Sequence, residues 1–223
     1  AEKNATKVDT IMGERPNVWV YIHGPGHHDA LTASREASKL LPAAEKFLSI
    51  ANKIEPDLSP YPFEALDEAW QAKIYPDHGW GGHDGDVTDN LFKESFVKSR
   101  TMGQNLLNDG IELISSKIKK NEKLGKPIVL FNSLSWKRTD PITTTLKFTK
   151  GNIKHVTIVS ADKKEVPSQT SNAKYYNDGS IRSIDVTFIA KDIPSIGYAT
   201  YYLQDKNSAS KGKNNSATTS TYE

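Results

Sequence analysis

The sequence predicts an α+β chain, with an antiparallel three-helix bundle followed by an antiparallel, β-sandwich-like domain. Two observations carry this. Between about residues 37 and 118, apolar residues recur at every third or fourth position, the spacing that lines one face of a helix. At Gly125-Lys-Pro127 the period changes to alternation, and short β-branched or aromatic segments follow, separated by turn residues. With 223 residues the chain is long enough to bury a proper core in one or two domains.

Taken in order, residues 1–15 are polar and without period, a lead-in. Asn17-Val-Trp-Val-Tyr-Ile22 reads as a strand that is apolar on both faces and needs neighbours on both. A first helix is expected after Asp29, running to about Ile54, with Ala37, Leu40, Leu41, Ala44, Phe47, Leu48 and Ala51 on its stripe. Pro42 interrupts it and removes the bond to the Ser38 carbonyl, so a kink is expected there. Pro56 to Pro62 is a turn, and a second helix follows to Ile74, with Phe63, Leu66, Trp70 and Ile74 on one face. A third helix begins near Thr88, its expected N-cap, and reaches about Lys120 with Leu91, Phe92, Phe96, Met102, Leu106 and Ile114 along it. Gly103 and Gly110 weaken that helix intrinsically but permit close packing. Short connections and matched faces make the three antiparallel neighbours. Strands are expected at 128–131, 142–148, 156–159, 181–190 and 198–203, and Lys206 to Ser220 is a linker-like run without apolar pattern.

Composition excludes several classes of function. Basic and acidic residues number 29 and 27 and are interspersed, which gives no case for nucleic acid or a membrane surface as partner. The lysines from Lys117 to Lys126 suit a solvated helix end, where cations complement the dipole. There is no cysteine, hence no disulfide framework and no zinc–thiolate site. No apolar run approaches the roughly 18–20 residues of a membrane span. A soluble chain is expected, cytoplasmic or periplasmic/secreted, with oligomerisation open.

Chemistry concentrates in Tyr21-Ile-His-Gly-Pro-Gly-His-His-Asp-Ala-Leu-Thr32. Imidazoles followed directly by a carboxylate, at a strand-to-helix junction, suit a metal ion or a sugar hydroxyl. The alternative is that Asp29 or Thr32 simply caps the helix. A second polar stretch, Asp77-His-Gly-Trp-Gly-Gly-His-Asp-Gly-Asp86, lacks the calcium-loop spacing. It reads as a structured turn, or as a loop bordering a sugar subsite with Trp80 as a stacking platform. Trp19 and Trp70 read as core, Trp136 as packing near the boundary between helices and sheet, and His155 as an ordinary surface histidine.

The run from Asn17 to Ala37, with His27-His28-Asp29-Ala30-Leu31-Thr32 at its centre, resembles the end of the catalytic domain of glycoside hydrolase family 38, the zinc-dependent α-mannosidases. Tyr75 to Gly82, with Gly85, Thr88 and Asp89, is similar to the helical segment of bacterial-type members. Pro127-Ile-Val-Leu-Phe-Asn-Ser-Leu-Ser-Trp136 is similar to the first strand of their β-domain, and the resemblance extends in order over residues 16–203. It implies a retaining mechanism with one Zn2+, acting on terminal α-mannosidic bonds of a mannose-containing glycan or mannoside. By the same match His28 is a zinc ligand, Asp29 bonds a mannose hydroxyl, and His27 sits behind the metal. It divides the chain into a tail of the catalytic α/β barrel at 1–30, the helical domain at 31–124, the start of the β-domain at 125–205 and a linker or loop at 206–223.

The nucleophile, the acid/base and the remaining zinc ligands are expected upstream, since no His-x-Asp pair precedes Asn17. The chain is thus expected to be an internal fragment, inactive by itself and binding zinc weakly or not at all. Two rivals stand beside this. One is a non-catalytic helical and β module for carbohydrate binding or assembly. The other is a small metalloprotein using His23, His27, His28 and Asp29, geometrically awkward because His27 and His28 are adjacent.

Overall fold

The computed structural model describes residues 25–74, 85–151 and 153–205. The predicted strand at 17–22, His23, Trp80 with its loop, and the tail from Lys206 lie outside these. The chain forms two compact units that divide between Gly110 and Ile111. Among the described residues it is mixed α+β: three α-helices precede two antiparallel sheets.

Helix α1 spans Pro25–Ile54, α2 Phe63–Lys73 and α3 Gly85–Lys117. The start of α1 corrects the sequence reading. The helix opens at Pro25, whose missing N–H costs nothing in a first turn, so Asp29 and Thr32 lie inside it and neither is its cap. Pro42 sits within the same continuous helix. Leu41, Ala44 and Leu48 of α1, Leu66 and Ala69 of α2 and Leu106 of α3 form one buried cluster.

The stripes predicted for α2 and α3 are correct in their middles and wrong at their ends. Phe63, Ile74 and Leu91 are 73%, 75% and 51% exposed, Ile74 lying just past the last residue of α2. Trp70 is half-buried, its indole N–H donating to Glu45 Oε1 at 2.6 Å.

Contacts set the helix directions. Ser95 Oγ donates to the Ala72 carbonyl and Ser99 Oγ to that of Ala69, so α2 and α3 run oppositely. Lys93 meets Asp29 and Arg100 meets Glu36, both pairs 64 residues apart, so α1 and α3 run the same way. Ala30 and Ala33 pack on Phe92 and Phe96. Small residues on one helix facing large ones on the other let the two approach closely.

Within the second unit, a 3-10 turn at Glu122–Leu124 precedes the first strand. Strands β1 (Lys126–Asn132), β7 (Gly197–Gln204), β3 (Thr157–Ser160) and β4 (Glu165–Val166) form one sheet in the order β1-β7-β3-β4. Strands β2 (Arg138–Lys147), β6 (Ile181–Ile193) and β5 (Ser168–Tyr175) form the other, with β6 central. Ile184, Val186, Phe188 and Ala190 alternate along β6 into a core shared with Ile158, Tyr201 and Leu203 of the first sheet. The Phe188 and Tyr201 rings lie 5.0 Å apart.

Strand β5, Ser168-Gln-Thr-Ser-Asn-Ala-Lys-Tyr175, has almost no apolar content and is nearly all exposed, so alternation gives no sign of it. It forms because the long strand β6 offers an unpaired edge, and its polar side chains suit an edge position. Trp136 also differs from expectation, being 60% exposed on the turn between β1 and β2. His155 is exposed as expected, but precedes β3 rather than lying in it; its N–H donates to Asp205 Oδ1.

One buried amide organises the end of this unit. Asn132, 1% exposed, donates through Nδ2 to the carbonyls of Trp136, Ile193 and Pro194, and its Oδ1 accepts from Leu134 N–H. The turns after β1 and β6 are therefore tied to one side chain. No helix among the described residues is long and apolar enough to cross a membrane.

Candidate functional site

The packing of Ala30 and Ala33 against Phe92 and Phe96 fixes what stands beside the His28–Asp29 turn. It brings Lys93, next to Phe92 on α3, within 2.9 Å of Asp29 Oδ2. Both groups are open to solvent, Asp29 60% and Lys93 40% exposed, and His28 is exposed as well. The bond to Lys93 and its charge hold the Asp29 carboxyl below its ordinary value, against a smaller opposing effect of burial, with His28 and Arg100 adding to the lowering. Asp29 is thus an anion in place, and a carboxylate has room for further donors beyond Lys93.

Seven residues along both helices, Arg100 Nη1 pairs with Glu36 Oε2 at 3.3 Å. Glu36 therefore bonds across to α3 and not back to Asp29. Beside this pair lies a groove of about 450 Å³ lined by Glu36, Lys39, Leu40, Arg100, Thr101, Gln104 and Asn105. It has one carboxylate and no histidine, so it lacks the two facing carboxyl groups that glycoside hydrolysis uses.

The test for zinc is whether the donors converge. A catalytic zinc takes three protein ligands and keeps a position open. Among the described residues no group of three or more histidine, aspartate or glutamate side chains converges so as to hold a metal. His28 offers one imidazole, and its neighbour Asp29 is engaged by Lys93. The described residues do not make a zinc centre by themselves. Trp80, the proposed stacking platform, lies outside the described residues.

Sequence reasoning missed Lys93. Its position follows from a 64-residue offset between two helices, which local periodicity does not encode. It also missed a cavity of about 490 Å³ in the second unit that includes Asp162, Glu165, Lys191, Asp192 and Tyr201 in its lining. Both of its aspartates already have cationic partners: Asp162 pairs with Lys164 at 2.7 Å and accepts from Ser160 Oγ, bonds that lower its pKa, and Asp192 pairs with Lys137 at 3.8 Å.

With this geometry in view, two solved structures share the fold. One is a protein in glycosyl hydrolase family 38 from Enterococcus faecalis, matching at a TM-score of 0.62 and 15% identity over 83% of this chain and 25% of its own. The other is an α-mannosidase from Enterococcus faecalis V583, at a TM-score of 0.51 and 15% identity over 80% of this chain and 24% of its own. The likeness is one of fold. The chain spans about a quarter of the length of the structures it matches. No family model matches the sequence, and no curated protein does.

Proposed function

We propose that this chain is part of a retaining, zinc-assisted α-mannosidase that removes terminal mannose from a glycan or mannoside. In this reading residues 1–30 are the tail of a catalytic α/β barrel, 31–124 a three-helix bundle, 125–205 the start of a β-sandwich and 206–223 a linker or loop. One coincidence supports it. The His27-His28-Asp29-Ala30-Leu31-Thr32 motif, similar to family 38, stands near the start of α1 with His28 and Asp29 exposed, in a fold shared with a family 38 structure.

His28 supplies one donor to the zinc, which when bound supplies Lewis acidity toward the sugar. The other ligands and the two carboxylates of the retaining mechanism come from chain beyond these residues. Asp29 accepts a hydrogen bond from a mannose hydroxyl while Lys93 keeps it ionised and oriented. Trp80 stacks on the sugar from the loop that follows α2. By itself the chain is inactive and holds zinc weakly or not at all.

The test compares this chain with the longer product of its gene, if the reading frame continues upstream, on an aryl α-mannoside. The longer protein is expected to hydrolyse it with retention, to lose activity on His28→Ala and to bind substrate more weakly on Asp29→Ala. Turnover by the 223-residue chain alone would defeat the inactive-fragment reading. Mannoside binding without turnover by the longer protein would favour the non-catalytic module.

A further inference from the structure

Strand β6 carries a bulge near its end. Its pairing with β2 sets Asp140 opposite Ala190 and then Arg138 opposite Ile193, so Lys191 and Asp192 together face Thr139. Two residues against one is a β-bulge, a device that re-aims side chains and bends the strand. Asp192 takes up the left-handed region, φ +54°, which aspartate adopts more readily than most residues. Both inserted N–H groups find side-chain oxygens. Lys191 N–H donates to Tyr201 Oη at 2.9 Å, and Asp192 N–H to Thr139 Oγ1 at 3.0 Å. Ala190 and Ile193 on either side stay buried, while Lys191 and Asp192 are exposed. The bulge thus turns two charged side chains outward without opening the core.

Beyond Phe188, β6 has no β5 neighbour, since β5 begins at Ser168 opposite that residue. There the bulge lines the cavity of about 490 Å³, together with the β3–β4 turn and Pro167, where the chain passes to β5. Its charges balance. Asp162 pairs with Lys164 and Asp192 with Lys137, which leaves Glu165 and Lys191, one of each sign. Tyr201, only 6% exposed, also belongs to the lining. Its hydroxyl accepts from Lys191 N–H, and its own proton has no acceptor among the described residues. Val166, Pro167 and Ile189 add apolar surface.

We propose that this cavity binds a neutral saccharide, whose hydroxyls bond Glu165, Lys191 and Tyr201 while a C–H face of the ring rests on Pro167 and Ile189. The lining chooses this class of ligand. Balanced charge gives an ion no net attraction, whereas a polyol uses an acceptor carboxylate, an ammonium and a phenol donor at once. The volume is that of a small-molecule site, and such sites combine apolar walls with a few polar groups. An added peptide strand is the other occupant that an open sheet edge invites. Here the N–H groups of Lys191 and Asp192 are already spent on Tyr201 and Thr139. No residue of the His28–Asp29 site takes part, so the inference stands whether or not the mannosidase reading does.

Amide NMR of the full 223-residue chain tests it by titration with methyl α-mannoside, methyl β-glucoside and methyl β-galactoside. Glucuronate serves as a charged comparator and trialanine as a peptide. At least one neutral glycoside is expected to shift the amides of Glu165, Lys191 and Asp192 saturably. Glu165→Ala and Lys191→Ala should each weaken that binding at least about tenfold, the loss of one hydrogen bond to a charged group. Both residues are exposed, so the fold should survive, and unchanged amides at Ile184, Val186 and Phe188 in the core report that it has. Lys147→Ala, at the far end of β2, should bind as the wild type does.

No saturable shift at the cavity with any of the three glycosides overturns the proposal. Affinity kept in either alanine variant does so too, because the site would then not be the one described. Glucuronate or trialanine binding as tightly as the best glycoside would assign the cavity to an anion or a peptide instead. Should an alanine variant disturb the core amides, Glu165→Gln and Lys191→Gln replace it, keeping side-chain length and removing the charge; undiminished affinity in these would equally count against the site.

Discussion

Gly103 and Gly110 offer one substitution in two environments, seven residues apart on α3. In an isolated helix, glycine to alanine stabilises by about 1 kcal/mol. A Cβ at Gly110 would stand 3.1 Å from the backbone carbon of Phe47 and 3.1 Å from the backbone nitrogen of Leu48. Those atoms belong to α1 and cannot rotate aside, so the two helices would have to part by a few tenths of an ångström. Overpacking of this kind costs roughly 1–3 kcal/mol. At Gly103 the contacts are Leu40 Cβ and Leu41 Cδ2, each at 3.2 Å, and the second is the movable end of a side chain. Gly110→Ala should therefore be less stable than wild type by up to about 2 kcal/mol, and Gly103→Ala close to neutral. Urea unfolding followed by circular dichroism of the helical transition measures both. Equal stabilisation by the two alanines would refute the argument, since helix propensity alone would then account for them.

Other predictions follow from single contacts. Asn132→Ala removes the amide that joins three carbonyls and one N–H, and should cost roughly 2–4 kcal/mol in urea unfolding of the β unit. Asn132→Asp should be at least as harmful at neutral pH, with a carboxylate facing three carbonyls, and should recover part of the loss in acid as the proton restores a donor. Gly125→Ala should destabilise strongly, because Gly125 has φ +109° and a Cβ there would collide with the Leu203 carbonyl oxygen; an unchanged unfolding midpoint would contradict this. Lys93→Met should return the Asp29 pKa toward its ordinary value, read by carboxyl NMR, with little effect on stability because the pair is exposed.

Asp29, Asp162, Asp178 and Asp185 all have folded pKa values lowered by hydrogen bonds, from Lys93, Lys164, Ser180 and Thr145 in turn. Between the lowered folded values and the unfolded value near about 3.9, the unfolded chain binds more protons. Their contribution is thus fully present above the unfolded value and is lost as pH falls through the folded ones. Unfolding midpoints should be level from neutral pH to about pH 5 and fall below pH 4. A midpoint rising on acidification would reverse the sign and sink the assignment.

Much of the fold was legible in the sequence because burial imposes a period. The spacing of Leu41, Ala44 and Leu48 announces α1, and the alternation of Ile184, Val186 and Phe188 announces β6, since each set must face one core. The His28–Asp29 motif was equally legible, as a run of adjacent residues whose chemistry needs no partner to be noticed. Three features were not legible. Strand β5 carries no apolar pattern and exists because β6 has an edge to fill. Phe63, Ile74 and Leu91 match their stripes, yet each is exposed, because a period along the chain gives a face and not what stands opposite it. Lys93 reaches Asp29 across 64 residues through the register of two helices, which the small faces of Ala30 and Ala33 and the large ones of Phe92 and Phe96 determine together. Local order is encoded by neighbours along the chain, so the sequence by itself determined the elements and the motif. The charge beside that motif depends on which residues meet through space, and only the tertiary structure decided it.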